Sequence, residues 1–419
     1  MTTNPLDIIN RLPPMLAGDA LKNALKVYPA FDDAIAQMPQ ALRLMRLSQL
    51  YDIFVPSRMA EEIYSKLYLA MLRSLQKKET ADATAQSYEN HRALCGLNYR
   101  GIIGGADSFT IIGTSGIGKS TAVSRALSLI EQRGIIEVET PYQKLIPCIV
   151  VQCPYDSSVK GMLLEILRKV DEVLDSKYYA SALRARATTD MLIGTVSQVA
   201  LNHIGLLLVD EIQNVANSKN GKSLIGALTQ LINNSGISIG MIGTPESAVF
   251  FEQAAHLARR SVGLNFSALP YDEEFKEFCS IVYAYQYVKH PSPLTEKELL
   301  WLYGHSAGVV AVVVTLLHDA QEIAILSGRE CLNIETLNLA YEQRLSMLHS
   351  YIHPSVTPKR TVHSSRTGKG KTLAVAETDT SAIDTSEDLI SRLVQKAKEE
   401  NLDIVSLLAK HISVTEVQI

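Results

Sequence analysis

The sequence predicts an α/β fold: a five-stranded parallel sheet that carries a phosphate-binding loop, with an N-terminal helical extension before it and a small helical lid after it. Three observations predict this. Short apolar runs alternate with amphipathic helical stretches between residues 99 and 270, the pattern of parallel strands joined by helical crossovers. The first of these runs, Phe109 to Ile112, leads straight into Gly113, Thr114, Ser115, Gly116, Ile117, Gly118, Lys119 and Ser120, which match G-x-x-x-x-G-K-S/T between a strand and a helix. A later run, Gly205 to Val209, ends in the paired acids Asp210 and Glu211.

Composition bounds the rest. At 419 residues, with 47% hydrophobic and 20% charged residues, the chain is long enough for two or three domains with cores. The apolar run Val309 to Val314, continued past Thr315 by Leu316 and Leu317, is far below the roughly 20 residues of a membrane span, so no membrane is expected. The N-terminus, with Asp7, lacks the basic-then-apolar build of a secretory signal, and a cytoplasmic location is expected. The cysteines Cys95, Cys148, Cys153, Cys279 and Cys331 contain no CxxC pair and read as buried thiols. A formal charge of −4 does not advertise nucleic-acid binding, so any DNA contact must rest on local clusters.

Residues 1–98 are helical in pattern, with breakers at Pro13-Pro14, Pro29, Pro39 and Pro56. Met59, Ile63, Leu67, Met71 and Leu75 recur every four positions and draw one buried stripe on a helix. In the nucleotide domain, 99–270, strands are expected at 109–112, 146–152, 206–209, 238–242 and 263–266, with helices at 119–132, 159–175, 186–202 and 222–233 between them. The pattern turns helical again over 271–352, the lid. Residues 353–385, rich in Ser, Thr, Gly and Lys, read as a flexible linker. In the last stretch, 386–419, a helix start at 385–388 and the apolar face of Leu389, Ile390, Leu393, Val394 and Ala397 predict a helical tail that binds a partner, or else packs back onto the lid.

The strand ends carry the chemistry. Glycines let backbone N–H groups wrap phosphates at a helix N-terminus, Lys119 reaches the β and γ phosphates of ATP, the Ser120 hydroxyl binds Mg2+, and Thr121 completes the loop. Gly370-Lys371-Thr372 is a decoy, since Ser365 stands where the first glycine belongs and no strand precedes it. Asp210 would hold Mg2+ and Glu211 would polarise the attacking water; an acidic pair is common at any strand exit, and the phosphate loop upstream is what favours catalysis here. Thr244, after the strand 238–242, is placed for the water or the γ-phosphate, or else marks a plain turn. One strand intervenes in sequence between the loop and Asp210-Glu211, the arrangement of additional-strand P-loop ATPases, including the AAA+ class. In AAA+ proteins an arginine finger precedes the last strand, where Arg259 and Arg260 fall; outside that context they would read as solvated helix-end residues.

Asn4-Pro5-Leu6, Leu12-Pro13-Pro14, the Gly113 loop, Gln152-Cys153-Pro154 with Ser157 to Lys160, Gly205 to Gln213, Gly243-Thr244-Pro245 and Leu257 to Arg260 together resemble TnsC/TniB-type AAA+ ATPases of transposons, in order from Asn4 to about Ser350. The resemblance implies a bacterial, DNA-associated ATPase that forms a homo-oligomeric ring or helical filament on duplex DNA, connects a target-selection protein to transposase subunits, and leaves on hydrolysis. It also implies DNA-backbone contacts after the second strand, where Lys160, Lys177, Arg184 and Arg186 are candidates; a solvated charged face is the plainer reading. One departure stands out. Many AAA+ lids place an arginine soon after a glycine, and Gly308 to Ala311 offers none. A replication initiator or helicase loader, and a STAND-type signalling scaffold, are the alternatives.

Overall fold

A computed structural model describes residues 11–78, 81–94, 108–131, 134–139, 142–247 and 263–346. Asn4 to Leu6, Arg259, Arg260, the expected linker and the expected tail lie outside the described residues. The N-terminal region forms α1 (Gly18–Leu25), α2 (Gln40–Arg46), α3 (Arg58–Lys77) and α4 (Ala81–Leu94). The sheet region follows as β1 (Phe109–Gly113), α5 (Lys119–Ile130), β2 (Ile136–Glu139), β3 (Tyr142–Gln152), α6 (Val159–Leu174), α7 (Tyr178–Arg184), α8 (Thr189–His203), β4 (Ile204–Asp210), α9 (Gly221–Ser235), β5 (Ser238–Gly243) and β6 (Leu264–Phe266). The lid comprises α10 (Glu273–Tyr283), α11 (Glu296–Ser306), α12 (Val310–Leu326) and α13 (Ile334–Arg344).

The strand order is β2-β3-β4-β5-β1-β6. All five expected strands are present and parallel, and β5 lies between the loop strand β1 and the acid-bearing strand β4. The sheet has a sixth strand that the sequence reading did not anticipate. β3 begins four residues before the expected Ile146, and this extension pairs antiparallel with β2, setting Glu137 opposite Lys144 with Nζ 3.8 Å from Oε1. Glu137 and Glu139 in β2, and Gln143 and Lys144 in the extension of β3, interrupt both segments, which so lack the apolar run that marks the inner strands. Along β4 the side chains alternate between two cores: Leu207 and Val209 face α6, α8 and α9, whereas Leu206 and Leu208 face α3 and α5.

The second of those cores corrects the picture of an extension standing before the nucleotide domain. Ser57 caps α3 by accepting from Ala60 N–H at 3.3 Å, and Ile63, Leu67, Met71 and Leu75 are fully buried against β1, β4 and α5. Gly205 permits that approach, since a Cβ there would lie 3.1 Å from Leu75 and 2.6 Å from the Pro147 carbonyl. Ser238 Oγ donates to the Ala70 carbonyl at 2.8 Å, and Lys78 Nζ donates to the carbonyls of Ala200 and Leu201 at the end of α8 at 2.6 and 2.8 Å. α3 is therefore a structural layer of the sheet domain.

Leu21 and Leu25 of α1 join this same core, whereas much of the segment between α1 and α3 goes elsewhere. Ile35, Leu47, Leu50 and Ile53 join Phe275, Val282, Leu302, Val313 and Leu317 in the lid core. Arg43, 1% exposed, fastens this strap by a two-pronged pair with Glu330 at 2.6 Å for each contact, and donates again to the Tyr287 carbonyl at 3.0 Å. The apolar run in α12 is explained by this core; among the described residues no single helix is long and apolar enough to cross a membrane. Cys148, Cys153 and Cys279 are buried free thiols and Cys331 is a half-buried one.

The helix expected over 186–202 starts instead at Thr189. Thr188 caps it by accepting from Met191 N–H at 3.4 Å, and Arg186 just before it has left-handed backbone, φ 48°. The preceding residues form the separate helix α7, whose first N–H groups, on Tyr178 and Tyr179, are capped by the Asp171 carboxylate at 2.9 Å each.

Candidate nucleotide-binding site

The C-terminal ends of β1, β4 and β5 open into a cleft of about 670 Å³. Ser115 to Thr121, Asp210, Glu211, Gln213, Gly243 and Thr244 form its polar end. Phe54, Val55, Met59, Pro270, Phe278 and Val314 line an apolar end between the start of α3 and the lid, with the size and character to take a nucleoside base. These two walls are fastened together where Arg58 N–H donates to Glu274 Oε1 at 3.0 Å.

The loop between β1 and α5 is shaped by its glycines. Gly116 and Gly118 have φ of +81° and +93°, backbone that an L side chain rarely adopts. Thr114 and Ser115 are exposed, Ile117 is buried, and Ser120 and Thr121 are exposed in the first turn of α5. At Gly113 a Cβ would stand 2.7 Å from the Phe266 carbonyl of the neighbouring strand. Lys119 turns back under the loop, 8% exposed, and donates to the carbonyls of Gly113 at 2.6 Å and Thr114 at 2.7 Å. Burial pulls its amine below the usual range, while the charges of Asp210, Glu211 and Glu246 push it up. The amine is thus held at the phosphate loop with carboxylates around it.

Burial raises the Asp210 carboxyl, and Glu211 adds to that; the Glu211 N–H, bonded to Asp210 Oδ1 at 2.8 Å, and Lys119 act in the opposite direction. Glu211 has left-handed backbone, φ 56°, and its carboxylate accepts from Gln213 Nε2. The Thr244 hydroxyl donates to Glu246, which lowers the Glu246 pKa. Among the described residues no cluster of three His, Cys, Asp or Glu side chains could hold a metal. The Ser120 hydroxyl and the half-buried Asp210 carboxylate both line the cleft, a donor set that fits a magnesium ion completing its shell with phosphate oxygens and water.

The four cations expected on DNA are all exposed, and they do not form one surface. Lys160 is in the first turn of α6, just past the C-terminal end of β3 and on the side of the sheet where the cleft opens. Lys177 precedes Tyr178, whose hydroxyl meets His203 Nε2 at 3.3 Å; His203 Nδ1 in turn meets the Lys144 carbonyl at 2.8 Å, at the opposite end of β3. From Lys144 to Gln152 the strand runs about 26 Å. Arg184 closes α7 and Arg186 sits in the turn before α8.

Nothing in the sequence ties Gln213, the 54–59 segment or Glu274 to the nucleotide site. Pro56 signalled a break before α3, but only packing brings these residues to the cleft.

Residues 103–249 match a family model described as an AAA domain, AAA_22. With the strand order above, the chain has the AAA+ P-loop fold. No curated protein matches it. Among solved structures it is similar to the Aeropyrum pernix ORC1 protein in complex with DNA (17% identity, TM-score 0.39, 63% of this chain and 64% of that one). It is also similar to Drosophila ORC bound to DNA (12%, 0.45, 99% and 88%) and to Cdc6p from Pyrobaculum aerophilum (12%, 0.39, 62% and 66%). The chain therefore spans just under two thirds of the ORC1 chain's length.

Proposed function

We propose that this protein is an ATP-hydrolysing switch of the AAA+ type. The observation that carries the proposal is the convergence of Lys119, Ser120, Asp210, Glu211 and Thr244 on one cleft that also has an apolar end for a base. In this reading the loop N–H groups and Lys119 hold the phosphates, Ser120 and Asp210 hold Mg2+, Glu211 polarises water, and Thr244 orients it or the γ-phosphate. Arg259 or Arg260 completes the site of a neighbouring subunit.

At the finer level we propose a DNA-transposition regulator that assembles on duplex DNA with ATP, links a target-selection protein to transposase, and disassembles on hydrolysis. The motif strings resembling TnsC/TniB proteins support it. A replication initiator or helicase loader would use the same cleft and is the second reading; the AAA-domain match fits both. The test is ATP turnover with and without duplex DNA, followed by electron microscopy with a slowly hydrolysed ATP analogue and pull-down of a transposase encoded beside this chain. ATP-dependent assembly on DNA with transposase capture is the expected result. Assembly that captures a replicative helicase instead would favour the second reading, and absence of ATP binding would remove both.

A further inference from the structure

Glu211 is held by a neighbour that the reading above leaves without a role. We propose that Gln213 is a positioning residue for ATP hydrolysis: its carboxamide fixes the Glu211 carboxylate, and Gly243 exists as glycine to admit that carboxamide. The inference rests on Glu211 as the group that polarises water.

Gln213 lies in a one-turn 3-10 helix, Ile212–Val215, directly after Glu211. That turn is rigid. Ile212 and Val215 are fully buried, Asn214 N–H donates to the Glu211 carbonyl at 3.1 Å, and the Asn214 side chain donates to the Cys153 carbonyl at 2.9 Å. Gln213 Nε2 donates to Glu211 Oε2, which leaves Glu211 Oε1 for water. The orientation of the amide follows from chemistry, because a carboxylate accepts and cannot donate.

The other end of the amide is equally constrained. Gln213 Oε1 is buried and has no hydrogen-bond partner among the described residues. A Cβ on Gly243 would stand 2.9 Å from it and 2.7 Å from Ile212 Cγ2, so any larger residue at the tip of β5 would have to displace these side chains from where they lie. A buried acceptor without a partner costs stability, and so does left-handed backbone at a non-glycine residue such as Glu211. Two such costs two residues apart in one cleft mark a geometry kept for its use. The sequence features Asp210 to Gln213 and Gly243-Thr244-Pro245 thereby become one device: the second makes the space that the side chain of the first occupies.

Gln213→Glu tests this in the full chain, since it keeps the shape and replaces the donor with a second carboxylate. Gln213→Met keeps length without charge. For both, kcat for ATP should fall about 10²-fold, the scale of a misplaced catalytic group, while KM and the melting temperature stay near wild type. In a Glu211→Gln background, Gln213→Glu should remove nothing further. Unchanged kcat in both single variants, with Glu211→Gln still inactive, would overturn the role of Gln213 and leave the proposed ATPase standing. Parallel loss of kcat, ATP affinity and melting temperature in both would show a packing role instead. Wild-type turnover in Glu211→Gln would remove the reading on which the inference rests.

Discussion

The backbone N–H of Ala311, in the first turn of lid helix α12, donates to the carbonyl of Gly116 in the phosphate loop at 2.9 Å. Side chains close the same contact: a Cβ on Gly116 would lie 3.0 Å from Val309 and 3.3 Å from Ala311. The lid has no arginine between Gly308 and Ala311, and it meets the loop through main chain and small apolar groups. A ligand that moves the loop therefore moves the support of the lid.

Ala311→Pro isolates that bond. The Ala311 N–H has no partner inside its own helix, so the change removes the latch without costing a helical hydrogen bond, and the proline ring carbon pushes the Gly116 carbonyl away. Losing one such bond is worth about 1 kcal/mol. Hydrogen exchange over residues 309–313 should accelerate and ATP affinity should weaken by up to about fivefold. Unaltered exchange and affinity would show that the lid is held elsewhere.

Lys119→Ala and Glu211→Gln should separate binding from hydrolysis. The first should lose ATP binding and DNA assembly together. The second should bind ATP and persist on DNA, with turnover lower by about 10²–10⁴. Equal ATPase rates in wild type and Glu211→Gln would remove Glu211 from the chemistry.

The separation of Lys160 from Lys177 makes their contributions to DNA binding distinguishable. Each phosphate contact contributes about −0.9 to the slope of log affinity against log salt. Lys160→Ala should flatten the slope by about that much, because Lys160 lies on the side of the sheet where the cleft opens, and Lys177→Ala should leave it unchanged. The reverse outcome would transfer the DNA surface to the end of the sheet near His203.

Arg43→Ala should destabilise the lid by about 1–3 kcal/mol, since the Glu330 carboxylate loses its two-pronged partner and keeps, among the described residues, only the Lys289 N–H at 3.3 Å and the Lys289 ammonium at 4.0 Å. The pH dependence has a definite sign. Hydrogen bonding from Arg43 holds the Glu330 carboxyl below its ordinary 4.5, so the pair's contribution is complete above that value and is lost as pH falls through the lower, folded-state pKa. Denaturant titrations of wild type and Arg43→Ala should converge at acid pH. A constant gap would mean that the ion pair is not its source.

What the sequence by itself determined was local. The phosphate loop is a contiguous string whose glycines, lysine and serine act within one turn, and the inner strands β1, β4 and β5 are largely apolar because both sheet faces are covered there, so these were legible. The stripe of α3 was legible for the same reason, as helical periodicity. What covers that stripe was not: Leu67 and Leu75 read identically whether their helix stands apart or roofs the sheet, and packing alone decided for the sheet. Ile35 and Leu50 were assigned to the lid by contacts with residues hundreds of positions away, which no local period encodes. The β2 edge strand was hidden because Glu137 and Glu139 leave it no apolar run. In the cleft, Asp210 and Glu211 could be named from their place after a strand, whereas Gln213 acquires its role only because β5 runs beside β4 and sets Gly243 against its amide. Strand neighbours are chosen by the whole sheet, and so the pairing of those two residues belongs to the tertiary structure.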